Sequence, residues 1–90
     1  MKRRLERTGQ FKRDLKRAQK RGKNLDKLWT IVDRLLADEP LDPRHRPHRL
    51  SGDLAGFREC HIEPDWLLIW SEGEEELILV RTGTHADVFD

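Results

Sequence analysis

The sequence predicts an α+β domain, and three observations carry that reading. Apolar residues recur at helical spacing in two neighbouring stretches of the first half. Three runs rich in β-branched, aromatic and aliphatic residues follow in the second half, separated by short polar segments. Between the halves lies a proline- and glycine-rich connection with no periodicity. Ninety residues make one domain, residues 1–90, with room for one modest core. A chain of this size buries roughly 60–65% of its unfolded surface. With 36% hydrophobic and 39% charged residues, that core must be thin and the surface highly charged.

Taken in order, Lys2 to Thr8 has one large apolar residue, Leu5, and reads as an edge strand. Thr8-Gly9 suits a helix N-terminus. Phe11, Leu15 and Ala18 then recur at i, i+4 and i+7, one buried helical stripe. Lys12, Arg13, Lys16, Arg17, Lys20 and Arg21 fall on the exposed faces, with Asp14 the only acid nearby. That basic face is therefore not expected to be laced with ion pairs. Gly22-Lys23-Asn24 breaks the helix, and Asn24 is a good N-cap for the next. Leu25, Leu28, Trp29, Val32, Leu35 and Leu36 form a wider stripe that ends at Pro40. So short a turn makes the pair an antiparallel αα-hairpin.

Residues 40–56 read as a loop, punctuated by Pro40, Pro43, Pro47, Gly52 and Gly56. At 17 residues it is longer than most connections, and such loops are usually functional or disordered. Leu50 and Leu54 are expected to pin it to the core. The strands are the runs Phe57–Ile62, Trp66–Trp70 and Leu77–Thr82. Glu63-Pro64-Asp65 makes the first turn and Glu72-Gly73-Glu74-Glu75 the second. Val88 and Phe89 are apolar enough to dock the tail, Ala86 to Asp90, beside the sheet.

The net charge of +1 hides a strong asymmetry. Residues 1–50 carry 16 Lys/Arg against 7 Asp/Glu, and residues 51–90 carry 2 against 10. A basic half points to a polyanionic partner, nucleic acid above all. The single cysteine, Cys60, excludes an internal disulfide and suits a reducing compartment. The longest apolar run, Trp66 to Trp70, is far too short to cross a membrane, and no apolar segment follows the basic N-terminus as in a signal peptide. The expectation is a soluble cytoplasmic protein.

The chemistry collects around the first strand pair. Its turn brings an imidazole (His61), a carboxylate (Asp65) and an indole (Trp66) to one end of the sheet. The third run then delivers Arg81 and, after Gly83-Thr84, His85. So small a sheet does not gather so many titratable groups by accident. A lone histidine is usually structural, and His45 is read so.

The motifs His48-Arg49-Leu50, Gly52, Gly56 through Trp70, and Arg81-Thr82-Gly83-Thr84-His85 resemble the YafQ branch of the RelE/ParE toxin superfamily. The likeness extends upstream through Thr8-Gly9-Gln10-Phe11 and from Lys16 to Gly22, so it covers nearly the whole chain. It implies a β-α-α-β-β-β order, with the αα-hairpin packed on one face of a small, twisted, mainly antiparallel sheet. It also makes Lys2–Thr8 a strand in its own right. By the same resemblance the chain is a toxin of a type II toxin–antitoxin system, cutting messenger RNA on the ribosome and inhibiting translation. Its partners would be ribosome, messenger RNA and a neighbour-encoded, DNA-binding antitoxin, with no membrane.

In the implied reaction a ribose 2′-OH attacks the adjacent phosphate, leaving a 2′,3′-cyclic phosphate and a 5′-OH. A base, an acid and a cation are needed, and no cofactor or metal. Histidine suits both proton roles, and arginine grips phosphate with two prongs. The resemblance implies that His48, His61, Asp65, Trp66, Arg81, His85 and Phe89 are catalytic or position the substrate. Arg81 is expected to stabilise the phosphate, Trp66 and Phe89 to stack on or shape the site around bases, and His48, His61, Asp65 and His85 to share the proton work. Lys12, Lys16 and Lys20 are expected to grip ribosomal RNA. Two rival readings exist. Gyrase-inhibiting toxins of the ParE type share the fold but need no histidine cluster. A His₃Asp zinc shell from His48, His61, Asp65 and His85 lacks any closely spaced ligand pair.

Overall fold

The computed structural model describes residues 3–89. The chain runs β1 (Arg4–Arg7), α1 (Gly9–Lys20), α2 (Leu25–Leu36), β2 (His48–Arg49), β3 (Arg58–Glu63), β4 (Trp66–Glu72), β5 (Glu76–Gly83) and α3 (His85–Phe89). These strands form one sheet in the order β1-β5-β4-β3-β2. Three of its four pairings are antiparallel, and β1 runs parallel to β5. Lys2, assigned to the first strand from sequence, and Asp90, assigned to the tail, lie outside the described residues.

Both helices start where the caps predict. Thr8 Oγ1 accepts from the Phe11 N–H at 2.9 Å, and Asn24 Oδ1 accepts from the Asp26 N–H at 3.1 Å. Thr8 also ties the helix to the sheet: its hydroxyl donates to the Val80 carbonyl at 2.9 Å, and its N–H to Leu79 at 3.0 Å. From α1, Phe11 and Ala18 are buried, and from α2, Leu28, Ile31, Val32 and Leu35. They pack on one face of the sheet against Cys60, Ile62, Trp66, Leu68, Trp70, Leu77 and Leu79. Burial pushes the Cys60 thiol up to about 12, so it is an inert core residue.

The connection after Pro40 is more ordered than a loop. Two 3-10 turns, Pro43–His45 and Gly52–Leu54, frame β2, which pairs His48 with Glu59 and Arg49 with Arg58. Leu41 is the leucine of this segment that packs against the core; Leu50 and Leu54 are half-buried outside that cluster. Instead, the Leu50 N–H is tied to the Phe57 carbonyl at 3.0 Å. Residues 85–89 form a short helix where a docked tail was expected.

Cross-strand partners point to the same side of a sheet. Glu59 and His61 alternate with Cys60, so they lie on the face away from the helices. One row across that open face is His48, Glu59, Ile69, Arg81; the next is His61, Leu67, Gly83. Strict alternation from Leu77 and Leu79 would send Arg81 into the core. A bulge prevents this: Trp70 pairs with Leu79 but Ile69 with Arg81, leaving Val80 as the extra residue. Thr82 takes the core position in place of Arg81. The Thr8 cap has a measurable consequence. Thr8→Ala removes two hydrogen bonds and should destabilise the chain by about 1–2 kcal/mol in urea unfolding.

Candidate active site

Arg81 is organised by a buried carboxylate. Asp14 is fully enclosed and accepts from Arg81 Nε at 2.7 Å, Arg81 Nη2 at 3.4 Å, Arg17 Nη2 at 3.0 Å, Gln10 Nε2 at 2.9 Å and the Thr82 N–H at 3.2 Å. The Thr82 N–H lies beyond Leu79, where β1 no longer pairs with β5, so Asp14 satisfies a strand edge as well as a cation. Arg81 Nη2 also donates to the Asp87 carbonyl at 3.0 Å. The two-pronged edge of Arg81 is thus occupied by Asp14. This corrects the expected bidentate phosphate grip, leaving Nη1 as the donor without a protein partner among the described residues.

His85 is placed by the turn into α3. Thr84 and Asp87 cap one another: Asp87 Oδ2 accepts the Thr84 N–H at 2.9 Å, and the Asp87 N–H donates to Thr84 Oγ1 at 3.1 Å. Arg21 holds the same carboxylate at 2.6 and 3.3 Å. Chiefly because of Arg21, with help from Thr84, Asp87 stays ionised far below the usual carboxylate range. Gly83 is required at this corner. Its φ is +155°, and a Cβ there would meet the Asp87 Cβ at 2.8 Å.

At the open end, Asp65 Oδ1 accepts both the His85 N–H at 3.0 Å and the His85 ring Nδ1–H at 2.7 Å. These two bonds, the backbone one first, lower the Asp65 pKa. Asp65 is therefore held beside His85 as a charge partner that orients its ring. His61 directs Nδ1–H to the Pro64 carbonyl at 3.2 Å, so its Nε2 carries the free lone pair when neutral. The His61 and His85 rings lie 5.7 Å apart, and Phe89, 45% exposed, lies 6.5 Å from His85.

Not every expected residue joins this cluster. His48 sits on β2, its Nδ1–H on the Arg46 carbonyl at 2.8 Å and its Nε2 3.2 Å from buried Glu59. It is a diagonal neighbour of His61, at the far end of the row from Arg81. Trp66 was expected to stack on bases or to shape the site around them. It is buried, donates Nε1–H to Thr82 Oγ1 at 3.0 Å, and carries Lys23 Nζ 5.7 Å over its ring. An enclosed indole cannot stack on a base, so only the second of those roles is open to it. Lys12, Lys16 and Lys20 are exposed along α1, the helix whose last turn reaches Asp87 through Arg21. Arg17 and Arg21 from the same helix turn to Asp14 and Asp87, so the basic face is partly neutralised after all.

Asp14 and Glu59 are the residues that sequence reasoning missed. Asp14 had a signal, since Phe11, Asp14, Leu15 and Ala18 share one helical stripe. An acid in an apolar stripe needs a buried partner. Arg58 pairs with Glu72 at 3.0 Å.

Two imidazoles, an orienting carboxylate and an exposed phenyl ring lie together, and Arg81 is tied to the same short helix through the Asp87 carbonyl. A family model, the bacterial toxin of type II toxin–antitoxin systems YafQ, matches residues 3–90. The chain belongs to the YafQ family. Its similarity to the mRNA interferase toxin YafQ of Escherichia coli K12 is 41% identity over 86 residues, 94% of either chain. The toxin fold of the E. coli DinJ–YafQ toxin–antitoxin complex superposes with a TM-score of 0.92 at 40% identity, covering 100% of both chains. A metal-bound toxin from Helicobacter pylori superposes with a TM-score of 0.91 at 40% identity, covering 99% of this chain and 100% of that one. Among the described residues of this YafQ-family chain, no three His, Cys, Asp or Glu side chains are grouped to hold an ion. No described helix is long and apolar enough to cross a membrane.

The depressed Asp87 pKa sets a sign for acid stability. A carboxyl that ionises more readily folded than unfolded stabilises the fold above its ordinary pKa, near 3.8, and loses that contribution as pH falls through the folded value. Urea unfolding from about pH 5 down to about pH 2 should therefore show a fall in stability that Asp87→Asn diminishes.

Proposed function

We propose that this chain is a messenger-RNA endoribonuclease that works on translating ribosomes in the cytoplasm and is silenced by a cognate antitoxin. The carrying observation is the His61–His85 pair, two imidazoles 5.7 Å apart that present their Nε2 atoms while carbonyl and carboxylate partners hold their Nδ1–H groups. Membership of the YafQ family and the mRNA interferase named among its relatives support the substrate class.

In this reading neutral His61 takes the 2′ proton at Nε2. The 2′ oxygen bonds to the adjacent phosphorus, the bond to the 5′ oxygen breaks, and His85 delivers a proton there. Asp65 gives the imidazolium of His85 a charge partner at 2.7 Å. Arg81, clamped by Asp14, offers Nη1 to the phosphoryl oxygens without needing to reorganise. Phe89 is the exposed aromatic on which a base can stack. His48 lies one strand away and serves the substrate or His61 indirectly. The DinJ–YafQ complex is the precedent for the antitoxin, and the two sheet edges, β1 and β2, are where a partner strand could add.

His61→Ala and His85→Ala should each slow single-turnover cleavage on programmed ribosomes by roughly 10²–10⁴-fold while leaving the fold intact. Wild-type rates from both variants would sink the acid–base assignment. A second measurement addresses docking. Reversing Lys12, Lys16 and Lys20 to glutamate should weaken ribosome binding and flatten its salt dependence, because each lost phosphate contact reduces the slope.

A further inference from the structure

A cavity of about 690 Å³ opens between α2, the 3-10 turn Pro43–His45 and the end of β3, and His61 forms part of its wall. That volume lies within the usual range for ligand sites. Ile31 and Ile62 are buried and make an apolar floor, while Arg44 and Arg46 are exposed at the rim. The acid in the lining, Glu63, is neutralised twice, by Lys23 and Lys27 at 2.9 Å each. The two rim arginines are nearly unengaged. Arg44 has only a 3.8 Å exposed contact with Asp42, and the Arg46 side chain has no partner among the described residues.

The rim is also held firmly. Arg46 adopts a left-handed conformation, φ 47° and ψ 54°, which a residue with a Cβ seldom takes. Its N–H donates to the Pro43 carbonyl at 3.0 Å and its carbonyl accepts from His48 at 2.8 Å. Beside it, His45 donates Nδ1–H to the His61 carbonyl at 2.7 Å and keeps Nε2 free of protein partners among the described residues. The same backbone thus links this rim to His61 and to His48. Such sparsely populated backbone gathers at ligand clamps.

We propose that this cavity is a subsite for a nucleotide of the RNA substrate beside the scissile phosphate, its base on Ile31 and Ile62 and its phosphate on Arg44 and Arg46. The inference rests on the ribonuclease reading, since His61, whose ring lies on the open face, also contributes to the cavity wall at the β3 edge where His45 holds its carbonyl. Planar guanidinium groups and an apolar floor suit a nucleotide better than a free anion or a purely apolar ligand. The subsite would set which base is accepted next to the cut.

Amide NMR titration of the intact chain with the four nucleoside 3′,5′-bisphosphates, and with inorganic phosphate as control, tests binding without requiring cleavage. Shifts should centre on Ile31, Arg44 to Arg46 and Ile62, differ among the bases, and weaken roughly tenfold in Arg46→Ala, the usual scale for a charge-assisted contact. On programmed ribosomes Arg44→Ala and Arg46→Ala should act on KM more than on kcat, with binding to ribosomes lacking messenger RNA unchanged. Phosphate alone shifting the same amides as strongly as the bisphosphates would overturn the nucleotide assignment. So would shifts confined to His85, Phe89 or α1. Variants that weaken only antitoxin binding would mark the cavity as a protein contact and equally overturn it. Binding at this cavity in a chain that cuts no RNA would instead refute the ribonuclease reading while leaving the subsite in place.

Discussion

The arrangement depends on one buried carboxylate. Asp14, enclosed between α1 and the unpaired edge of β5, accepts from Arg81, Arg17, Gln10 and the Thr82 backbone. Losing Asp14 would leave Arg81, Arg17 and the Thr82 N–H without the acceptor they share. The pair also joins fold to site. Through Arg81 it reaches the Asp87 carbonyl, hence α3, and so the turn that presents His85. Arg21 pulls the same small helix toward α1 from the other side. The short helix carrying His85 is held by ionic and capping bonds where it has almost no core of its own.

The sheet divides its labour by face. One face is sealed by the αα-hairpin and takes the apolar side chains, with the Trp66 indole anchored to Thr82 beneath the site. The other carries His48, Glu59, His61 and Arg81 in two adjacent rows. An active site on a sheet face inherits the rigidity of the ladder, whereas loops supply adjustable parts. Here the ends of the sheet add the remaining parts: the Pro64-Asp65 turn, α3, and the segment leading into β2.

The charge asymmetry is resolved in space more than it is maintained. Several basic groups from the first half meet acids from the second, among them Arg3 with Glu72, Lys23 and Lys27 with Glu63, and Arg21 with Asp87. Lys12, Lys16 and Lys20 remain along α1, and Arg44 and Arg46 beside the cavity. Cations left after pairing are better guides to polyanion contact than the total count, because a paired cation must break its existing bond first.

The sequence by itself determined the α+β class, the two capped helices and the three long strands, because apolar periodicity and capping are local. The motif around His61 and the Arg81-to-His85 run carried the resemblance that agreed with the family. What only the tertiary structure decided depends on distant residues meeting. Whether Asp14 was an isolated surface acid or a buried clamp turned on Arg81, 67 positions away. The Val80 bulge, invisible to strict alternation, moved Arg81 off the core face. Trp66 proved enclosed because Thr82 receives its indole N–H, and Asp65 became an orienting carboxylate because α3 returns His85 to it. A two-residue strand such as His48–Arg49 has too few residues to show any period, so its place beside β3 is set by the sheet edge that receives it.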